Sequence, residues 1–188
     1  MSSRQVQVLE AAARVIARNG VRGLRVEELA AEAGVSTALI YYHFKDRAGL
    51  LRRTLEFISE RADRYTADGV AGDVDPRAEL EQRLLSELQD DPSVRENSTA
   101  WGELRASAIF EPDLRAPLTE ATASWVRDTA ELVRRVSADV DADEVAERLT
   151  ALVEGLSERW LSGSVTLERA RGLLVGAIGA ELGARSPA

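Results

Sequence analysis

What is missing from this chain excludes several classes of protein. The 188 residues contain no cysteine, one histidine and one lysine, and only 5% of them are aromatic. Without cysteine, the chain can form neither a disulfide framework nor a thiolate metal site. The single histidine, His43, would have to serve any Ser-His-Asp triad or any histidine-based metal site. The composition therefore gives little support to catalysis or to a bound metal.

Long apolar runs are also missing. No window approaches the roughly 18 consecutive apolar residues that span a bilayer. The chain reaches Arg14 before any apolar run as long as the hydrophobic region of a signal peptide. The sequence therefore predicts a cytoplasmic protein without membrane contact.

The formal net charge of −8 is distributed unevenly. Residues 1–64 contain eleven basic and eight acidic residues, giving a net charge of +3, whereas residues 65–188 carry a net charge of −11. A weakly basic N-terminal part can bind phosphate locally, and repulsion from the acidic part would limit non-specific binding to DNA. The simpler alternative is that an acidic surface keeps the protein in solution. The two explanations are compatible.

Residues 26–45, VEELAAEAGVSTALIYYHFK, have the pattern of a helix-turn-helix. Small and apolar residues recur at helical spacing before Gly34, which supplies the left-handed backbone of a tight turn. Ser36 can cap the second helix, and Ile40 lies on its apolar face. The side chains left exposed on that helix suit a recognition helix in the major groove. The predicted DNA contacts are Arg25, Ser36, Thr37, Ala38, Tyr41, Tyr42, His43 and Lys45.

The same residues carry a family resemblance. AGVSTALIYYHFKDRAGLL, preceded by Arg18-Asn19-Gly20 and Leu24-Arg25-Val26, resembles the N-terminal domain of TetR/AcrR transcriptional regulators over about residues 4–56. Downstream, TAWGELRASAIFEPDLRAPL and ALVEGLSERWLSG resemble the ligand-binding half of the subgroup that includes choline-responsive betaine regulators. The resemblance implies a homodimeric, all-helical DNA-binding regulator, usually a repressor that a small molecule releases. Thr37 and Leu39 depart from the usual family residues, so no base preference is carried over.

Helical periodicity and capping residues predict an all-α fold of about nine helices. The expected N-terminal boundaries include Asp46, Asp75-Pro76, Asp91-Pro92 and Glu111-Pro112, and Asp141-x-x-Glu144 resembles a capping box. Helix 1 is expected over about 3–19, and residues 68–75 are expected to form a loop. A long helix 4, from Asp46 to about Tyr65, should join two domains. These are a three-helix DNA-binding domain, 1–46, and a ligand-binding and dimerisation bundle, 47–188.

Asp139-x-Asp141-x-Asp143 has the opening of a calcium-binding loop. The sixth position is Glu144, where such a loop needs glycine, and the twelfth is Thr150, where it needs glutamate. Carboxylates that favour a helix N-terminus explain the cluster better. The 32 acidic residues offer many carboxylate pairs, and none is singled out for catalysis. We therefore expect no metal, no cofactor and no catalytic residues.

Two patterns in the C-terminal part indicate interaction sites. Gly172, Gly176, Gly179 and Gly183 lie on one face of helix 9, where close approach of another helix would offset their cost. The alternatives are packing within the chain and compositional drift. The predicted dimer interface comprises Leu152, Leu156, Trp160, Gly172, Gly176 and Gly179.

Three tryptophans lie on apolar helix faces, where tryptophan usually belongs to the core. The functional alternative is a ligand cavity between helices, with a cation held against an aromatic ring and acidic residues such as Glu103 and Asp128 nearby. The predicted pocket residues are Trp101, Leu104, Phe110 and Trp125.

Three functional hypotheses follow. The first is a regulator that binds double-stranded DNA at a palindromic operator as a homodimer and responds to a small-molecule effector. The second is a dimeric architectural or interaction protein that binds DNA without an effector. The third is an enzyme with an incidental helix-turn-helix. Ligand-dependent thermal stability separates the first two hypotheses, and turnover of a bound ligand tests the third.

Overall fold

The structure is a computed structural model, and it describes residues 1–67 and 75–183. Over these residues the chain is helical, without a strand, which confirms the predicted all-α class. The predicted loop, except for Asp75, lies outside the described residues. The helices are α1 Ser3–Gly23, α2 Val26–Ala33, α3 Thr37–Phe44, α4 Arg47–Ala67, α5 Pro76–Ser86, α6 Pro92–Ser107, α7 Arg115–Val136, α8 Ala142–Leu161 and α9 Leu167–Leu182, with a 3-10 turn Pro112–Leu114 before α7.

Most of these helices have a capping side chain at the N-terminus, at or near the boundary that the sequence predicts. Ser36, Asp75 and Thr166 each accept a hydrogen bond from the backbone N–H three residues later. Asp141 caps α8 by accepting from the amides of Asp143 and Glu144. The reciprocal half of the predicted capping box is replaced by an ion pair, because the Glu144 carboxylate contacts Arg148 at 3.1 Å.

α1 is longer than the sequence predicts. The expected end near Asn19 is a kink, because Gly20 has φ 71° and ψ 168°, and a short helical segment follows as far as Gly23. Gly20 thus interrupts the helix without ending it.

The described residues form two compact units. The first comprises Met1–Arg61 and Glu96–Ala121. The second comprises the described residues within Ala62–Arg95 and Thr122–Ala188. α4, α6 and α7 contribute residues to both units. The core of the first unit includes Leu9, Ile16, Leu29, Leu51 and Leu104. The core of the second includes Leu80, Leu88, Leu149, Leu174 and Ile178.

The core of the first unit contains more than the predicted domain 1–46. Ala100, Leu104 and Leu114 are buried together with residues of α1 to α4. The functional division at residues 46 and 47 remains a prediction. Among the described residues, no helical stretch combines the length and the apolar character that a membrane span requires.

Candidate nucleic-acid interface

α2 is fixed to α1 by charged side chains. Glu32 accepts hydrogen bonds from Arg14 Nε at 2.9 Å and from Arg18 Nη2 at 2.7 Å. These two bonds, that of Arg18 above all, lower the pKa of the Glu32 carboxyl. Asn19 also donates to Glu28 Oε1 at 2.8 Å. The polar face of α2 is therefore turned toward α1, while Leu29 and Ala33 enter the core.

The turn between α2 and α3 is built on Gly34. Its φ of 61° and ψ of 36° are left-handed, as predicted. The Gly34 amide donates to Ala31 O at 3.2 Å and the Val35 amide to Ala30 O at 3.0 Å. This pair of bonds is a Schellman motif, which satisfies the last carbonyls of α2 and lets α3 begin three residues later.

α3 divides cleanly into a buried face and an exposed face. Ile40 is 1% exposed and Phe44 is 4% exposed, so these two residues hold the helix on the core. On the opposite face Tyr41 is 49% exposed and Tyr42 is 80% exposed, with the exposed Ala38 on the same side. Two large exposed aromatic rings on an eight-residue helix are unusual unless a partner covers them. The helix therefore presents a surface of small and aromatic residues.

Lys45 follows α3 in a strained backbone conformation. Its φ of 67° and ψ of −60°, with the Asp46 amide donating to Phe44 O at 2.8 Å, define a γ-turn with positive φ at its central residue. Gly49 makes this junction possible, because a Cβ at that position would overlap the Phe44 carbonyl oxygen. Asp46 Oδ1 then accepts from the Gly49 amide at 2.7 Å. Such strain is concentrated at functional sites, and here it places an exposed ammonium group beside α3.

Several basic residues of the first unit are paired with carboxylates, and others that lie around α2 to α4 are not. Arg14, Arg18, Arg47, Arg53 and Arg61 each pair with a carboxylate of the same unit. Among the described residues, Arg25, Lys45 and Arg52 have no carboxylate within 4.0 Å, and all three are exposed. Unpaired cations at the start of α2, after α3 and on α4 can bind phosphate without first breaking an ion pair.

The remaining predicted contact residues expose less of their side chains for contact with DNA. Ser36 Oγ accepts from the Leu39 amide at 3.2 Å, so its side chain is used for capping. Thr37 and His43 are half-buried, and the His43 ring contacts the Tyr42 ring edge-on with centroids 5.1 Å apart. Arg52 was missed from the sequence, since nothing in its local pattern distinguishes it from the paired arginines.

The four predicted pocket residues fall into different units. Trp101, Leu104 and Phe110 belong to the first unit and Trp125 to the second. Leu104 is 1% exposed within the first core, and Phe110 is 72% exposed. Trp125 lines a cavity of about 60 Å³ in the second unit. The other lining residues, which the sequence did not single out as a group, are Asp63, Thr66, Leu80, Arg83, Leu84, Asp128, Thr129 and Leu132.

The predicted interface residues divide between the surface and the core. Gly172 and Gly176 are exposed on α9, Gly179 is half-buried, and Leu152 is half-buried on α8. Leu156 and Trp160 are 2% and 8% exposed in the protomer, and the predicted dimer interface as a whole stays a prediction. Their apolar stripe on α8 packs into the core of their own unit. The Arg95 guanidinium carbon lies over the Trp160 ring, 5.0 Å from its centroid. The outward face of α8 carries Ala151 and Gly155 instead.

The helix-turn-helix, its exposed α3 and the unpaired cations define a DNA-binding transcriptional regulator. Residues 8–54 match the model of bacterial regulatory proteins of the tetR family, and residues 76–183 match the C-terminal model of BetI-type transcriptional repressors. The chain belongs to the TetR family, with a C-terminal domain of the BetI type. Its relatives are transcriptional regulators, not enzymes.

Individual relatives match almost the whole chain. The HTH-type transcriptional regulator BetI of Cronobacter sakazakii (strain ATCC BAA-894) is 29% identical over 98% of this chain and 93% of its own length. A crystal structure from Rhodococcus sp., assigned to the TetR family, is 47% identical with a TM-score of 0.91, covering 97% of this chain and all of that one. A regulator from Saccharomonospora viridis, crystallised in complex with choline, is 28% identical with a TM-score of 0.83, covering 95% and 96%.

Proposed function

We propose that this protein is a homodimeric, cytoplasmic repressor that binds a palindromic operator and is released by a small organic cation. The observation that carries the proposal is the exposed face of α3, where Ala38, Tyr41 and Tyr42 lie beside the strained Lys45. A small residue and a tyrosine suit contact with base edges, and the ammonium group suits a phosphate. We assign Ala38 and Tyr41 to base edges.

The assigned phosphate contacts surround that face. The first amides of α3, at Thr37 and Ala38, precede its intrahelical hydrogen bonds and can bind a phosphate oxygen. The side chains of Thr37, Tyr42, His43 and Lys45 complete the set on and after α3. Arg25 and Arg52 extend it from neighbouring helices, because both are exposed and neither has a carboxylate partner among the described residues.

The outward face of α9 supports dimer formation. Each glycine within a helix costs roughly 0.5–1 kcal/mol relative to alanine. Among the described residues, a Cβ added to Gly172 or Gly176 would meet no atom within 4 Å, so the packing of this part of the protomer does not require glycine there. Val175 and Leu173, which border the stripe, are 42% and 37% exposed. A second copy of α9 lying close against the glycines would bury both apolar side chains.

The cavity at Trp125 supports a cationic effector. Asp63 and Asp128 provide two carboxylates against one arginine, Arg83, and Trp125 provides an aromatic ring. A volume of about 60 Å³ holds roughly four water-sized groups, which suits a trimethylammonium group and excludes a large drug-like molecule. The choline bound to the Saccharomonospora viridis relative makes choline the first compound to test.

Selection of bound DNA from a random pool tests the DNA-binding proposal. A homodimer should select an inverted repeat whose half-sites are about one helical turn apart, or a multiple of that. Enrichment of sequences without a repeat, with affinity that hardly depends on sequence, would favour an architectural DNA-binding protein instead.

Thermal unfolding with choline tests the effector. A ligand that binds only the folded state raises the melting temperature with its concentration. The neutral isostere 3,3-dimethylbutanol should have little effect, because it lacks the charge. Trp125→Leu should abolish the response, whereas Trp101→Leu should retain it if the site is the cavity in the second unit. A response lost only in Trp101→Leu would instead favour a site near Trp101 in the first unit, which shares three of the four predicted pocket residues.

A further inference from the structure

The kink in α1 is followed directly by a buried residue, Val21, whose backbone forms hydrogen bonds with side chains of other helices. Val21 is 0% exposed, and it follows Gly20, whose φ of 71° breaks the run of helical hydrogen bonds. A buried backbone N–H that finds no partner costs free energy comparable to a lost hydrogen bond. Side chains from two other helices bind the N–H and the C=O of Val21, and the C=O also accepts a hydrogen bond from the Leu24 amide at 3.2 Å.

Glu103 of α6 binds the amide side of Val21. Its Oε2 accepts a hydrogen bond from Val21 N at 3.2 Å. A Cβ at position 20 would lie only 2.8 Å from the same oxygen, so Gly20 provides both the backbone angle and the space for the carboxylate. The carboxylate thus caps the short helical segment that follows the kink.

Arg47, the first residue of α4, binds the carbonyl side. Its Nη2 donates to Val21 O at 2.8 Å, and its Nη1 donates to both carboxylate oxygens of Glu111 at 3.1 Å. Arg22 makes a further contact, a cation–π interaction in which its guanidinium lies 5.6 Å from the centroid of the Phe110 ring. The end of α1 is therefore held by α4, by α6 and by the segment that follows α6, all within the first unit.

We propose that Glu103 and Arg47 are positioning residues for DNA binding. They form hydrogen bonds with the N–H and the C=O of Val21, five residues before α2 begins, and so make the helix-turn-helix segment, residues 26–45, move together with α6. The segment is then placed by α6, as well as by its own contacts with α1. This inference rests on the proposed function, because a dimer that docks two half-sites needs both segments held in fixed positions.

The contacts of Glu103 and Arg47 with the Val21 backbone form a clamp, and its loss should affect binding to one half-site and binding to the whole operator differently. Loosening it should leave the affinity for a single half-site within about twofold of wild type, because the contacts of α3 are intact. The affinity for the two-half-site operator should fall by about tenfold or more, because two loosened segments must be ordered at once. The preference for one half-site spacing should also broaden.

The experiment compares Glu103→Ala and Glu103→Gln with the wild type, using the operator obtained by selection. Glutamine keeps an oxygen acceptor and should restore most of the operator affinity and of the spacing preference. Glu120→Ala, an exposed carboxylate of α7 in the same unit, is the matched control and should bind as wild type. Arg47→Ala should resemble Glu103→Ala, and the double variant should lose less than the sum of the two losses, since both act on the backbone of one residue, Val21.

Hydrogen exchange at the Val21 amide gives a readout that does not depend on DNA. Glu103→Ala should exchange this proton faster, and Glu103→Gln should restore its protection. Faster exchange combined with wild-type operator affinity and spacing preference would overturn the proposal, leaving Glu103 a purely structural cap. Unchanged exchange would show that the clamp does not form in solution. Failure of the wild type to select any operator would instead contradict the proposed function, whatever the exchange result.

Discussion

The hydroxyl of Tyr65 on α4 donates a hydrogen bond of 2.6 Å to Glu87 Oε2 at the end of α5. Burial raises the pKa of the Glu87 carboxyl to about 7, although this hydrogen bond acts in the opposite direction. The negative charge of Asp63, which lines the cavity beside Trp125, raises it further. A carboxyl group inside the second unit is therefore partly protonated near neutral pH.

The raised pKa of Glu87 makes the stability of the second unit depend on pH. The folded protein holds this proton more tightly than the unfolded chain, whose carboxyl titrates near the ordinary value of 4.5. The resulting stabilisation is complete below about pH 4.5 and is lost as the pH rises through about 7. The loss corresponds to roughly 3 kcal/mol of unfolding free energy at most.

Urea unfolding at pH 5 and pH 8 measures this contribution. Glu87→Gln, which resembles the protonated acid, should match the wild type at pH 5 and exceed its stability at pH 8. Glu131→Gln, an exposed carboxylate on α7, is the control and should keep the wild-type difference between the two pH values. An identical pH dependence in Glu87→Gln and the wild type would show that Glu87 titrates normally.

Three substitutions at Lys45 should distinguish the effect of its charge on DNA affinity from the effect of its backbone strain on stability. Lys45→Ala should weaken binding to all DNA sequences about equally and reduce the salt dependence by about one ion per half-site, because one phosphate contact is lost. Lys45→Gly should lose the same contact but unfold at a higher temperature than Lys45→Ala, since glycine accepts a φ of 67° without strain. Lys45→Arg should retain most of the affinity.

Fluorescence anisotropy over a range of salt concentrations provides the comparison. Tyr42→Ala should also weaken operator binding, because the ring is 80% exposed on the outward face of α3. If Tyr42→Ala and Lys45→Ala both bind the operator as tightly as wild type while remaining folded, the assignment of α3 as the recognition helix is wrong.

Gly49→Ala should be strongly destabilising. A methyl group there would overlap the carbonyl oxygen of Phe44, and backbone cannot move aside as a flexible side chain can. Gly34→Ala is the matched comparison, because its Cβ would meet nothing within 4 Å and only the φ of 61° opposes it, at about 1 kcal/mol. Melting temperatures should fall much further for Gly49→Ala. Equal losses would mean that the junction between α3 and α4 can relax.

Local signals in the sequence were sufficient for most helix boundaries, and distant contacts account for what they missed. Gly34, Ser36, Asp75 and Thr166 act on neighbouring residues, so their roles could be read from the sequence directly. The kink at Gly20 is matched to Glu103, 83 positions away, and no local pattern indicates that pairing.

The burial of two predicted interface residues within the protomer has a related cause. Leu156 and Trp160 form an apolar stripe, which marks a buried face but does not say whether the chain itself or a partner buries it. The glycines of α9 were more informative. Over residues 1–67 and 75–183, no packing partner within the chain explains why Gly172 and Gly176 are glycines.

Gly176→Leu should weaken the dimer. The bulky side chain would project from the centre of the α9 stripe and prevent close approach of the second copy, while the open space around it leaves the protomer unstrained. Sedimentation velocity should show a concentration-dependent shift toward monomer, and operator affinity should fall with it. Glu131→Leu, an exposed change on α7 outside the proposed interface, controls for added apolar surface. A wild-type protein that is monomeric at micromolar concentration would contradict the proposed interface.

DNA and choline should oppose each other through α4. This helix begins at Arg47, directly after the helix-turn-helix segment, and near its other end Asp63 and Thr66 line the cavity beside Trp125. On the proposed function, a cation bound between Asp63, Asp128 and Trp125 would change the forces on α4, and the two half-sites would tolerate little change in the separation of the two α3 helices. Linkage then requires that saturating operator weaken choline binding by the same factor by which saturating choline weakens operator binding.

Calorimetric titration of choline, with and without operator, measures one side of that equality, and anisotropy of labelled operator, with and without choline, measures the other. A coupling free energy of about 1–3 kcal/mol would change each affinity by roughly 5-fold to 150-fold. Asp128→Asn should reduce choline affinity while leaving operator affinity in the absence of choline unchanged, because Asp128 lies in the second unit and on the cavity wall. Equal choline affinities in the two titrations would mean that choline occupies the cavity without regulating DNA binding, since a ligand that binds both states equally shifts neither.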